Sequence, residues 1–312
     1  MRDWHAFKML ASLLRRYPHF LFPRDAFKMT TDGLVATTIE HLRNFVRARR
    51  QAGRSIGLVP TMGALHEGHL SLVKRLKGDV DEVIVTIFVN PAQFGPKEDF
   101  DKYPRQLSND LEKLKSVEAD LVFAPCVDEI YPKNFATTIS VAGPAQAGLE
   151  DRFRPTHFTG VATIVAKLLI QAQADIAIFG EKDFQQLLVI RQLARDLDIP
   201  TRIFSGPTLR ENDGLAMSSR NVYLSPSERA IAPLIYQTLS AAARDINSGE
   251  KPGAAIHKAQ EALQKAGFVV DYVEARCAET LLPLTQAHAD PIRLLVAANI
   301  GKTRLIDNIA AT

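Results

Sequence analysis

The chain has 312 residues, 46% of them apolar and 23% charged, so it can bury one large core or two modest ones and is no disordered polymer. A formal net charge of +3 supplies no field for nucleic acid, although a local basic cluster can still meet an anionic ligand. Its two cysteines, Cys126 and Cys277, lie far apart in no metal-ligand spacing, which suits a reducing cytoplasm and argues against a disulfide framework or a zinc ribbon.

Residues 1–35 form a basic, aromatic stretch interrupted by Asp3, Asp25, Pro18 and Pro23, too broken for a secretory signal. It reads as an accessory or over-called extension ahead of Met29, with organelle targeting as the alternative, and could hold a short amphipathic helix over residues 4–15. No window approaches the roughly 18 uninterrupted apolar residues of a membrane span. From residue 38 onward helices and strands alternate. Ile39, Leu42 and Val46 repeat at helical spacing, "SIGLVP" (55–60) reads as a strand, and "HLSLVKRLK" as a helix. "DEVIVTIFVN" (81–90) is a β-branched run typical of a strand buried on both faces. A helix over 104–117 and a strand over 119–125 follow. Val161, Ile164, Val165, Leu168 and Leu169 then mark a helical stripe. A strand over 174–180, a helix over 184–197 and a strand over 200–207 complete the series. This alternation predicts an α/β fold, a doubly wound parallel sheet with helices on both faces. Beyond Pro207 the pattern changes to helices over 227–246 and 254–266 and two strand-like runs, "FVVDYVEAR" and "RLLVAANIG". The expected organisation is an extension (1–35), a parallel α/β domain (36–207) and a smaller α+β domain (208–312).

In an open parallel sheet, ligands bind beyond the carboxyl ends of the strands. Four strand exits carry the chemistry here: "TMGALHEGH", "NPAQFGPKEDFDKYPR", "GEKDFQQ" and "GPTLRENDGLAMSSRN". Several familiar signatures do not apply. "HEGH" lacks the spacing of a zinc-binding H-E-x-x-H, and "GKT" (301–303) has Val296 where a phosphate-binding loop requires glycine. No G-x-G-x-x-G follows a strand, and no nucleophile elbow occurs. The remaining reading is phosphate chemistry. His66 and His69 fall on one side of a helix start, where free N–H groups and the helix dipole favour an anion. Ser218 and Ser219 add hydroxyls, and Arg220 a charged fork suited to phosphate.

Together, H-x-G-H and the Ser–Ser–Arg loop resemble the two signatures of the nucleotidylyltransferase superfamily, whose Rossmann-like fold sets them around a triphosphate. "PTMGALHEGH", "FVNPAQF", "RPTHFTGV", "FGEKDFQQ", "DGLAMSSRNVYL" and "GKTRLIDN" sharpen the resemblance to the pantoate–β-alanine ligase family over about residues 36–309. That resemblance implies an enzyme that joins (R)-pantoate to β-alanine through a pantoyl adenylate. ATP is its cosubstrate, with Mg2+ accompanying it. The implied state is a cytoplasmic homodimer with no nucleic-acid or membrane partner.

Position by position, the resemblance places Met62, Gly63, Ala64, Leu65, His66, Glu67, Gly68 and His69 in the ATP site. Gly180, Glu181, Lys182 and Asp183 line it too, and Met217, Ser218, Ser219 and Arg220 close it. It gives His69 the role of acid, His66 a share of the phosphate contact and Lys182 the charge at the pentavalent phosphorus. Gly180 and Asp183 would meet the ribose, and the Leu209 backbone the adenine. Gln93 and Gln186 would take pantoate, with Asn90 nearby. Arg154 and His157 are further contributors, and Asp110 is a candidate magnesium ligand. Two rival classes share such a fold: a transferase that moves AMP to a phosphate, and a nucleotide-sensing module. The neutral pair Gln93 and Gln186 favours the ligase, since a phosphate acceptor calls for basic residues.

Overall fold

The computed structural model describes residues 35–96, 98–284 and 291–311. Six strands form a parallel sheet: β1 (Val35–Ala36), β2 (Ile56–Thr61), β3 (Glu82–Ile87), β4 (Leu121–Phe123), β5 (Ile176–Gly180) and β6 (Arg202–Gly206). Their order is β1-β4-β3-β2-β5-β6, so the chain winds outward in both directions from β2. Helices α1 (Ile39–Gln51), α4 (His157–Ala172) and α5 (Phe184–Asp196) share one core with one face of the sheet. Helices α2 (Glu67–Leu76) and α3 (Leu107–Ser116) close the other. The doubly wound α/β expectation holds.

Local signals account for these elements. Thr38 caps α1 by accepting from the His41 N–H at 3.2 Å, and Leu42 and Val46 turn inward. The α4 stripe is broader than its spacing suggests, because the helix is buried almost all round beneath other elements. Val35 lies inside β1, which brings the sheet one residue into the expected extension. The helix proposed for residues 4–15 falls outside the described residues. Strand β3 is shorter than its apolar run, since Phe88–Asn90 leave the ladder and lead into a 3-10 turn at Pro91–Gln93.

A second sheet, antiparallel in the order β7-β8-β9, follows. It comprises β7 (Val269–Cys277), β8 (Ile292–Ile300) and β9 (Thr303–Ala311), covered by α7 (Leu234–Asn247) and α8 (Pro252–Lys265). Two expectations are corrected here. The helix over 227–246 is two, α6 (Pro226–Ile231) and α7, parted at Pro233, which has no N–H to continue the first. And there are three strands, not two: Asp307 and Asn308 interrupt the apolar alternation of β9, yet both are only 3% exposed because each has polar partners.

β2 and β5 pair only at Gly57–Ile176 and Leu58–Ala177, whereas β2 and β3 pair along their whole length. The carboxyl ends of β2 and β5 therefore part, and a cleft opens where the winding reverses. Cys126 and Cys277 are both free thiols. Among the described residues no helix is long and apolar enough to cross a membrane.

Candidate active site

The cleft between β2 and β5 is lined by Met62, His66, Gly68, His69, Asn90, Gln93, Gly180, Lys182, Asp183, Gln186, Leu209 and Met217–Arg220, all of them expected. Its apolar wall comes from Phe88, Val161, Ile164, Val165, Leu168 and Phe179. Gly63, Ala64, Leu65, Glu67 and Glu181 stand behind this lining, in the turns that shape it.

The turn after β2 is built by its own polar groups. His66 is the N-cap of α2, its Nδ1 accepting from the Gly68 N–H at 3.2 Å, while His69 Nδ1 accepts from the His66 N–H at 3.3 Å. The two imidazoles thus form a capping box in place of the usual Ser and Glu. Because both Nδ1 atoms accept, the ring proton of each neutral imidazole sits on Nε2. Gly68 is required between them, since a Cβ there would lie 2.9 Å from the His66 ring. The rings are 4.1 Å apart and tilted by 41°. Burial, then the neighbouring His66, Lys182 and Lys113, pushes the His69 pKa down from 6.5 to about 3. Burial and the same two lysines lower His66 to about 4, against Asp183 and Glu211. Both are therefore neutral N–H donors at neutral pH, and the acid expected at His69 is an uncharged imidazole.

Asp110 secures this turn from α3, accepting from the Ala64 and Leu65 N–H groups at 2.9 and 2.8 Å. Ala64 adopts a left-handed φ of 51°, a strained value for alanine that these bonds hold in place. Lys113 donates to the Leu65 carbonyl at 2.6 Å. From the second half of the chain, Ser219 donates to the Ala64 carbonyl at 2.9 Å. The Arg220 fork is engaged by Asp99, with both bonds at 2.9 Å, leaving its outer edge for a ligand.

A second wall holds Gln93. Its Oε1 accepts from Asn90 Nδ2 at 3.0 Å, and its Nε2 reaches the Met62 sulfur at 3.2 Å. Asn90 is buried and already saturated by Gly160, Ala92 and Tyr131, so it orients Gln93 from behind. Gly160 permits α4 to press against this turn, since a Cβ would come within 2.2 Å of the Ala92 carbonyl oxygen. His157 Nδ1 donates to the Gln93 carbonyl at 3.0 Å, and its other nitrogen faces Arg154 at 3.3 Å. Burial, then the Arg154 charge, lowers the His157 pKa to about 3, which keeps it neutral. Arg154 in turn grips Glu98, with its shortest bond at 2.6 Å.

The turn after β5 has distant support. Lys182 lies in a 3-10 turn, Glu181–Asp183, that no side chain of its own caps. Asn308 on β9 donates to the Glu181 and Lys182 carbonyls at 2.9 and 2.8 Å. Ser205 and Arg293 hold the Glu181 carboxylate at 3.0 and 3.3 Å. Asn308 lies in "GKTRLIDN", where no local pattern marks it as a support for the Lys182 turn. Arg293 carried no signal short of three-dimensional contact, and Asp99 lies in the strand exit "NPAQFGPKEDFDKYPR" but nothing local marks its pairing with Arg220. A further network joins the sheets: Arg304 holds Glu150 through two bonds of 2.8 Å, with Tyr272 at 2.9 Å. Burial alone would raise the Glu150 pKa, but Arg304, Arg154 and Tyr272 hold it down at about 2.

The chain resembles known proteins over most of its length. The family model for pantoate-beta-alanine ligase matches residues 34–310. The chain is 52% identical to a pantothenate synthetase of Rhodopseudomonas palustris over 282 residues, covering 90% of this chain and all of that one. It is 53% identical to the pantothenate synthetase of Paramagnetospirillum magneticum, over 90% of this chain and 99% of the relative. Among solved structures, the pantothenate synthetase of Thermus thermophilus superposes with a TM-score of 0.84 at 45% identity, covering 89% of this chain and 99% of that one. The pantoate-beta-alanine ligase of Francisella tularensis, complexed with beta-gamma ATP and beta-alanine, gives 0.75 at 36% identity, over 89% and 97% of the two chains.

Proposed function

The chain belongs to the pantoate–β-alanine ligase family, and we propose that the cleft between β2 and β5 carries out both halves of that ligation. The reaction condenses (R)-pantoate with β-alanine using ATP, and its product is a precursor of coenzyme A. In the first half, a pantoate carboxylate oxygen attacks the α-phosphorus of ATP. The bond from that phosphorus to the β-phosphate bridging oxygen breaks and pyrophosphate leaves. In the second half, the β-alanine amine attacks the acyl carbon of the mixed anhydride, loses a proton, and expels AMP.

One observation carries this reading. Two neutral imidazoles with Nε2–H donors stand at the α2 start, close enough to Lys182 for its charge to depress their pKa values, in a cleft that Gln93 also lines. Preorganised donors in a dry cleft stabilise charge that develops on a phosphoryl group without reorganising. His66 and His69 would donate to phosphate oxygens, with the α2 N-terminus adding its dipole. Lys182 would balance the charge at phosphorus, and Ser218, Ser219 and the outer edge of Arg220 would close over the triphosphate. Gly180 and Asp183 take the ribose, and the Leu209 backbone the adenine, completing an ATP site with Met62–His69 and Glu181. An approaching triphosphate raises the basicity of both histidines, so a proton can be shared with the leaving pyrophosphate.

Gln93 and Gln186 suit pantoate's hydroxyl and carboxylate, while Phe88, Val161 and Ile164 match its two methyl groups. Asn90 acts here by orienting Gln93. Magnesium belongs to this reading as the ion that ATP carries. Among the described residues no three His, Cys, Asp or Glu side chains cluster as a metal cage, and Asp99 and Asp110 are taken up by Arg220 and by backbone N–H groups. We also read residues 36–207 as the nucleotide- and pantoate-binding domain and 208–312 as the domain carrying the Ser–Arg loop. A cytoplasmic homodimer, as the family resemblance implies, completes the proposal, and two free thiols fit a reducing compartment.

Isotope exchange between ATP and pyrophosphate tests it. Exchange should require pantoate, and AMP release should then require β-alanine. Exchange driven by a phosphate ester in place of pantoate would favour a nucleotidylyltransferase. Its complete absence would leave a nucleotide-binding module.

A further inference from the structure

We propose that Asn308, on the last strand of the second sheet, is the positioning residue for Lys182; the inference rests on the reading of Lys182 as the cation facing the phosphates. The Lys182 turn is a three-residue 3-10 helix without a side-chain cap, and such a turn does little to fix itself. Its carbonyls at Glu181 and Lys182 both point at one amide group, Asn308 Nδ2, at 2.9 and 2.8 Å. The orientation of that amide is settled by chemistry. Asn308 Oδ1 accepts from Arg293 Nε at 2.7 Å, and an arginine can only donate, so the NH2 end must face the turn. Arg293 is itself fixed, with its guanidinium 4.2 Å from the Phe184 ring centre and 3.3 Å from the Glu181 carboxylate.

A lysine has four rotatable carbons between its backbone and its charge, so its ammonium is only as well placed as the backbone beneath it. Two bonds to consecutive carbonyls on either side of the Lys182 Cα clamp that base. The neighbouring residue has a parallel task. Asp307 binds the Arg210 fork at 2.6 and 2.9 Å, at the root of the loop that ends in Met217–Arg220. Successive residues of a strand face opposite sides, so one dipeptide of β9 can fasten two catalytic loops at once. The second sheet thereby sets the geometry of phosphate chemistry that it never touches.

A double-mutant cycle tests the inference. Single-turnover formation of pantoyl adenylate is measured for the full chain, for Asn308→Ala, for Lys182→Ala and for the double variant. Asn308→Ala should slow adenylation by about ten- to a hundredfold, since small misplacements of a catalytic group have effects of that order, with the ATP and pantoate requirements nearly unchanged. In the Lys182→Ala background the same substitution should cost less than about twofold. Asn308→Ser, which keeps one donor, should fall between wild type and alanine, and it takes the place of alanine in the cycle if Asn308→Ala does not fold. An equal loss with and without Lys182, or none at all, overturns the inference while leaving the ligase reading intact. A wild-type rate for Lys182→Ala alone overturns the role of Lys182 and the inference with it.

Discussion

The two turns that face each other across the cleft are held in opposite ways. The one after β2 is secured mainly by its surroundings in the parallel layer: its own histidines cap α2, and Asp110 and Lys113 of α3 hold residues 64 and 65. The one after β5 has no cap of its own and depends on Asn308 and Arg293, more than 100 positions further along the chain. One cleft can therefore be half local motif and half long-range assembly. Its two halves should then respond differently to substitution, acid and truncation.

The largest effect should come from removing the donor proposed for the reacting centre in either half. His69→Ala and Lys182→Ala are each expected to lower pantoyl adenylate formation by about 10²–10³-fold, the usual loss for one preorganised donor. Near-normal adenylation by either variant, seen in single turnover, would break the symmetry of the two halves. Next in size is the wall between them. Gln93→Ala or Gln186→Ala should weaken pantoate binding by roughly 1–3 kcal/mol and spare ATP. Calorimetric titration decides, and lost ATP affinity with unchanged pantoate affinity would mean that the two subsites are exchanged.

Acid should distinguish the halves by a smaller effect. His66, His69 and His157 have folded pKa values of about 4, 3 and 3, below the ordinary 6.5. The unfolded chain binds their protons first, so their contribution is full above pH 6.5 and is lost as pH falls toward about 3. Glu150, depressed from 4.5 to about 2, adds its loss only below pH 4.5. Thermal unfolding from pH 7.5 to 5 should show a decline that is shallower in His69→Asn, where only His66 and His157 still contribute, than in Lys182→Ala, where burial still holds all three imidazoles down. Equal slopes in both would contradict the burial of these imidazoles as neutral groups. Smallest of all is the effect of truncation. A chain beginning at Met29 should retain its turnover, with its melting temperature changed by only about a few degrees, because both halves of the cleft lie beyond it. Loss of soluble enzyme would show the first residues to be part of the fold.

This contrast also explains what the sequence disclosed. The turn after β2 was legible because its support lies in one short stretch: H-x-G-H caps α2 and leaves the Nε2–H of each ring free to donate. The parallel sheet was legible because strands buried on both faces have little choice but continuous β-branched runs, as in β3. Strand β9 was hidden by the same feature that makes it useful. Asp307 and Asn308 read as a break in the apolar pattern, and only their partners in space, Arg210 and the 181–182 carbonyls, explain why polar side chains can be buried there. Asn90 lines the cleft, but how it acts on Gln93 is visible only in its bonds to Gln93, Gly160 and Tyr131.

The most direct test of the account follows one oxygen atom. If the carboxylate of pantoate attacks the α-phosphorus and the amine then attacks the acyl carbon, the bridging oxygen stays with phosphorus. Turnover of pantoate labelled with oxygen-18 in its carboxylate should therefore give AMP carrying one labelled oxygen per molecule, with unlabelled pyrophosphate, by mass spectrometry. Unlabelled AMP, or label in the pyrophosphate, would contradict a pantoyl adenylate formed in this cleft.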